Sequence, residues 1–173
     1  MHARAFWKAV TVDRSNLLDR FFERLEARHV AFCLIGGQAL NAYVEPVVSL
    51  DLDVVVGSGG LANIEAILGD SFELQPFSHR LNVSDRDSDL RIQIQRDPRY
   101  APFVDRATVR DVLGLSLPVA AIEDILQGKL WAAQDTDRRR SKRQKDLADI
   151  ARIVEAYPRL RSMIPAEVLA RLV

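Results

Sequence analysis

Cysteine is almost absent. Cys33 is the single one in 173 residues, so no disulfide can form within the chain and a buried core must stabilise it. It sits in an apolar run away from basic residues, which gives it no cause to be a reactive thiolate, and a reducing cytoplasm is the expected setting. Net charge is absent too. The 24 Lys and Arg match the 24 Asp and Glu, which excludes a global basic field of the kind that drives non-specific nucleic-acid binding, so any such contact is local. Long apolar runs are also missing. The longest uncharged stretch, His29 to Val44, is broken by Gly36, Gly37, Gln38 and Asn41, and no membrane span is expected because one needs about 20 apolar residues. The basic residues near the start are not followed by an apolar segment and a small-residue cleavage site, so no secretory leader is expected. Repeats and low-complexity tracts do not occur.

What is present is a globular balance. Hydrophobic residues make up 48% and charged residues 28%, enough for a real core, and the length suits one compact domain or a domain with a helical extension. Leu17, Leu18, Phe21, Phe22 and Leu25 recur at helical spacing and predict an amphipathic helix over residues 15–28. Residues 30–35 form an apolar run that ends at Gly36-Gly37, and 38–44 reads as a short helix, giving a strand, Gly-Gly turn and helix. A second strand is predicted over 50–56 and a helix over 61–68. Strand-like segments at 72–77, 80–84 and 90–95 are close enough together for an antiparallel meander. Two prolines make 98–105 a loop, and 107–119 holds one or two strands. Two helical stripes follow, Ile122/Ile125/Leu126/Leu130/Ala133 and Leu147/Ile150/Ala151/Val154, with Pro158 closing the second and Pro165 opening a last short helix. The order predicts an α+β (mixed α/β) fold: a core over residues 1–120 and a C-terminal helical bundle over 121–173 packed on it.

Two acids stand out within these elements. Asp51 and Asp53 are separated by one residue on a strand, so period 2 puts both carboxylates on one face and Leu50, Leu52 and Val54 on the other. Hard oxygen ligands so placed suit Mg²⁺, or two metals about 4 Å apart. Solvated aspartates on a half-exposed strand are the plain alternative, but Val54-Val55-Val56 implies a buried strand. Adjacent like charges at its mouth repel unless a cation or basic group compensates them. Gly36-Gly37 lets backbone amides approach a phosphate closely. Lys129 lies in the apolar stripe of its helix, where it either snorkels to solvent or points its ammonium at the acidic site or a phosphate. Arg138-Arg139-Arg140-Ser141-Lys142-Arg143 is a basic run between helices. It is either a solvated loop or a local grip on nucleic acid or triphosphate, without interleaved aromatics for base stacking. Asp85, Asp87 and Asp89 do not make a calcium loop, because Leu90 and Arg96 occupy the glycine and glutamate positions. His2, His29 and His79 lack metal-binding spacing.

The stretches Leu34-Ile35-Gly36-Gly37-Gln38-Ala39 and Ser49-Leu50-Asp51-Leu52-Asp53-Val54-Val55-Val56 resemble the signature of the polymerase-β-like nucleotidyltransferase superfamily. Ile122-Glu123-Asp124-Ile125 with Lys129, then Arg143-Gln144-Lys145-Asp146-Leu147-Ala148-Asp149-Ile150, resemble its AbiEii-like and minimal nucleotidyltransferase branch, which includes toxin-antitoxin members. The resemblance implies a nucleotidyltransferase-like mixed sheet flanked by helices. It also implies transfer of a nucleoside monophosphate from a nucleoside triphosphate (NTP) to a hydroxyl of a tRNA, a protein or a small molecule. Asp51 and Asp53 would hold Mg²⁺, Gly36, Gly37 and Ser49 would cradle the triphosphate, Lys129 would serve the active site, and Arg143, Lys145 and Asp146 would complete the nucleotide site. The chain departs from the superfamily at two places. Gln93 stands where a third carboxylate is expected, and an amide cannot act as a base. Val47 and Val48 occupy a region where a basic residue is common. The departures keep a second expectation open, a catalytically degenerate module that binds nucleotide or protein. A third is a structural domain with both aspartates capped by arginines.

Overall fold

In a computed structural model that describes residues 13–172, one seven-stranded mixed sheet runs through the molecule. Its strands are β1 (Phe32–Ile35), β2 (Asp51–Val56), β3 (Glu73–Pro76), β4 (Arg80–Ser84), β5 (Arg91–Gln95), β6 (Thr108–Val112) and β7 (Leu115–Val119), in the spatial order β3-β4-β5-β2-β1-β7-β6. The helices are α1 (Leu17–Ala27), α2 (Gly36–Leu40), α3 (Ser58–Leu61), α4 (Ile64–Leu68), α5 (Ile122–Gln134), α6 (Arg140–Ala156) and α7 (Ala166–Leu169), with 3₁₀ segments at Pro98–Arg106 and Pro158–Met163. The mixed α/β class read from the sequence is therefore the observed one.

Period 2 decides the two faces of the central strands. Leu52 and Val54 are buried on one face of β2 and register with Leu34 of β1 and Ile92 and Ile94 of β5. Phe32, paired with Val56 on that same face, stacks on Phe22 of α1 at 5.2 Å between ring centroids, so α1 covers the face away from Asp51 and Asp53. Phe21 continues the contact edge-on to Phe72. The meander β3-β4-β5 is antiparallel as its short connections require, and β5 then joins β2 in parallel register.

Four local expectations need correction. The helix after β1 starts at Gly36 itself and ends at Leu40, because the two glycines take up the turn and the first helical positions. The helix expected over 61–68 is two short helices, α3 and α4. The proline-containing loop is a 3₁₀ helix: Pro98 occupies its first turn, and the Asp97 carboxylate accepts from the Arg99 amide. The 3₁₀ period brings Tyr100 and Phe103 to one side, where both pack on Trp131 of α5. Leu50 is exposed rather than packed beneath β2, since the strand begins one residue later.

Burial of α1 should dominate stability. Phe21 is fully buried between Phe22 and Phe72, so Phe21→Ala should lose about 3–4 kcal/mol in urea unfolding through lost transfer energy and the cavity left behind. A loss below about 1 kcal/mol would contradict this packing.

Candidate active site

The site grows from the β1–α2 turn and the start of β2. Gly36 has φ +74°, in the left-handed region, and a Cβ there would lie 2.2 Å from Asp53 Oδ2. Glycine is thus demanded by the Asp53 carboxylate packed against the turn, as well as by any phosphate. Gly37 is less constrained: a Cβ there would stand 3.0 Å from Ser49 Oγ, so Ser49 would have to shift slightly to admit it. The Ser49 hydroxyl is buried and donates to the Asp51 carbonyl at 3.4 Å.

The loop between α2 and β2 is held by two amide side chains. Asn41 donates to the Val47 carbonyl at 2.7 Å and accepts from the Val47 amide at 3.0 Å, as a neighbouring strand would. The Gln38 side chain donates to the Ser49 carbonyl. Arg152 of α6 joins them, reaching the Glu45 carbonyl and Asn41 Oδ1. This scaffold fixes where β2 begins and hence where Asp51 and Asp53 project.

Asp53 is half-buried, and among the described residues no hydrogen bond or ion pair reaches its carboxylate. Burial is the main cause that raises its pKa from the ordinary 3.8 to about 6; Lys129 opposes the rise, Asp51 adds to it, and Arg138 and Lys145 oppose it weakly. Beside it in parallel register lies Gln93, the residue expected at the third-carboxylate position. Asp51 differs: Arg91, opposite it on β5, donates from Nε to Asp51 Oδ1 at 3.1 Å. Capping by arginine, one of the alternatives the sequence left open, holds for Asp51 and not for Asp53 among the described residues, because the parallel register of β5 delivers Arg91 to Asp51.

Lys129 does not snorkel. Its ammonium lies 2.7 Å from Asp149 Oδ2 and 3.1 Å from Asp146 Oδ1, and both acids are buried on α6. Burial alone would lower its pKa, but the two carboxylates outweigh that and hold it above the ordinary value. Asp146 also accepts from Arg138 at 2.7 Å, and Asp149 from Arg152 at 2.9 Å. The Asp146 carboxylate, expected in the nucleotide site, is buried and paired with Lys129 and Arg138. The basic run is not all loop, because α6 starts at Arg140. Arg143 is half-buried, its Nε without a hydrogen-bond partner among the described residues, and Lys145 is exposed. Sequence reasoning missed Arg91, Asn41, Asp149 and Arg152. Arg91 lies two residues before Gln93, on the same face of β5, and alternation along that strand was the signal that could have found it.

These residues place an acidic pair at the head of β2, with Lys129, Arg138 and Lys145 near enough to act on its charge. The donor set fits a divalent ion: one carboxylate without a partner among the described residues, a second in a displaceable exposed pair, and both supplying hard oxygens. Cys33 takes no part, since burial pushes its thiol up to about 12.

The profile of the family described as "Nucleotidyl transferase AbiEii toxin, Type IV TA system" matches residues 17–172. The chain belongs to the AbiEii nucleotidyltransferase family. No curated protein sequence matches it. Among solved structures, ANT(2")-Ia in complex with adenylyl-2"-tobramycin is similar with a TM-score of 0.62 and 12% identity, covering 91% of this chain and 97% of that one. An antigenic nucleotidyltransferase-like protein from Paracoccidioides brasiliensis is similar with a TM-score of 0.61 and 19% identity, covering 94% and 89%. The lincosamide antibiotic adenylyltransferase LnuA, lincomycin-bound, has a TM-score of 0.52 and 12% identity, covering 82% and 98%. At these identities the likeness shows the shared fold. This AbiEii-family chain has no helix among its described residues that is long and apolar enough to cross a membrane.

The raised Asp53 pKa has a defined consequence for stability. With a folded value of about 6 above the ordinary 3.8, the folded protein binds the proton more readily than the unfolded chain. Stability therefore falls as pH climbs through that window and stays low above it. Without divalent ions, Asp53→Asn should be more stable than the unsubstituted protein at pH 7.5 by about 1–2 kcal/mol, discounted for partial solvent screening. The gap should close near pH 4. Thermal unfolding across pH tests this, and a variant less stable at pH 7.5 would contradict the burial argument.

Proposed function

We propose that this chain transfers a nucleoside monophosphate from an NTP to an acceptor hydroxyl, with Mg²⁺ held by Asp51 and Asp53. The observation that carries the proposal is the Asp53 carboxylate, half-buried against Gly36 with no protein partner among the described residues and its fellow acid Asp51 beside it. Bound Mg²⁺ would supply charge neutralisation and Lewis acidity toward the phosphates. The remaining work belongs to the protein. Gly36 and Gly37 leave the turn free of side chains, so the triphosphate can come close to backbone. Lys129, fixed by Asp146 and Asp149, sets a positive potential at the site, Arg138 in the turn before α6 adds to it, and Arg143 and Lys145 extend it along α6.

In the reaction the acceptor oxygen attacks the α-phosphorus, the bond to the β-phosphate oxygen breaks, pyrophosphate leaves, and the hydroxyl proton passes to a base in solvent. Gln93 beside Asp53 can orient the hydroxyl by hydrogen bonding but cannot take its proton. The description of LnuA as an adenylyltransferase and the adenylyl-2"-tobramycin held by ANT(2")-Ia support ATP as a donor, and the family's description supports a toxin role within a toxin-antitoxin pair. A tRNA, a protein and a small alcohol are the acceptor classes to test. A second reading, a module that binds nucleotide or protein without turnover, is favoured by Gln93 in place of a third acid.

Incubation with Mg²⁺ and each α-labelled NTP in the presence of RNA, protein extract or small alcohols should give covalent label on one acceptor. Asp51→Asn and Asp53→Asn should each reduce labelling by about 100-fold or more. Metal-dependent NTP binding without transfer selects the second reading, and absence of both binding and transfer overturns the proposal.

A further inference from the structure

Arg91 has no role in the proposal above, yet it holds one of the two acids on which that proposal rests. The parallel register of β2 and β5 sets it opposite Asp51, as it sets Gln93 opposite Asp53. Nε lies 3.1 Å from Asp51 Oδ1, and the Arg91 side chain is 53% exposed against 26% for Asp51. An ion pair so open to solvent is weak and readily exchanged. The other cations near the site are held differently. Lys129, Arg138 and Arg152 pair with the buried acids Asp146 and Asp149, which would be left as unpaired buried charges if those cations moved. Arg91 alone of these can leave its acid at little cost, because Asp51 is partly solvated and a cation can replace it.

We propose that Arg91 is the resident counter-ion of the site. It neutralises Asp51 while no divalent ion is bound, and it yields the carboxylate when the ion arrives with a polyphosphate, whose oxygens then accept the freed guanidinium. This rests on the reading that Asp51 and Asp53 hold a divalent ion. The chemistry suits the exchange, since a guanidinium fork matches carboxylate and phosphate oxygens alike. An ion arriving alone must break the Arg91–Asp51 pair without replacing it. An ion arriving with polyphosphate gives Arg91 a new partner, so Arg91 makes the two ligands bind cooperatively.

The test is binding of Mn²⁺ alone, followed by electron paramagnetic resonance of the free ion, and binding of the preformed Mn²⁺ complex of α,β-methylene-ATP, followed by calorimetry. The unsubstituted protein and Arg91→Gln are compared, with circular dichroism to verify the fold. Arg91→Gln should bind Mn²⁺ alone about two- to fivefold more tightly, the range set by an exposed pair, and the nucleotide complex about threefold or more weakly. Equal or weaker binding of Mn²⁺ alone overturns the counter-ion role, and undiminished binding of the nucleotide complex overturns the exchange onto polyphosphate. If neither protein binds Mn²⁺, the metal reading of Asp51 and Asp53 fails and this inference fails with it.

Discussion

Two carboxylates on one strand, separated by a single buried leucine, are the constraint around which the rest of the molecule is arranged. Asp53 is pressed against a turn that only glycine can make, and burial there costs the charged form enough to raise its pKa to about 6. Asp51 is stabilised by a pair with an exposed arginine. A fold selected for stability alone would favour neutral side chains at the head of β2, so the retained charge is informative. Its surroundings are consistent with that. Lys129 is drawn into the protein by two buried acids and placed where its field reaches Asp53, at the expense of burying several charges that must satisfy one another.

The same arrangement links distant parts of the chain. Asp149 pairs with both Lys129 and Arg152, and Arg152 reaches Asn41 and the Glu45 carbonyl, so the loop that launches β2 is tied to α6. Asn41 then pairs with the Val47 backbone. Position is thereby transmitted from the helical part of the chain to the acidic pair through contiguous hydrogen bonds and ion pairs. The aromatic contacts of Tyr100 and Phe103 with Trp131 pin the 3₁₀ segment after β5 to α5.

Much of this was legible in the sequence where a local period carries the information. Alternation placed Asp51 and Asp53 on one face, helical spacing identified α1, and the Gly-Gly turn marked the end of β1. Gln93 was singled out by the resemblance, as the residue where a third carboxylate is expected, and the register of β5 sets it beside Asp53. What was not legible depends on register and distance. Arg91 meets Asp51 only because β5 is parallel to β2 in a particular register, and Arg152 meets Asn41 across 111 positions. The Pro98–Arg106 helix was hidden by its prolines, which argue against an α-helix but are compatible with a 3₁₀ turn begun at Pro98. Gly36 was read as an approach for phosphate, while its neighbour in the structure is Asp53 itself.

Anomalous diffraction from crystals soaked with Mn²⁺ and a non-hydrolysable NTP analogue tests the central claim most directly. A metal peak ligated by oxygens of both Asp51 and Asp53 is expected, with the triphosphate beside Gly36-Gly37. A map with no peak at these carboxylates, despite nucleotide density elsewhere on the protein, would contradict it.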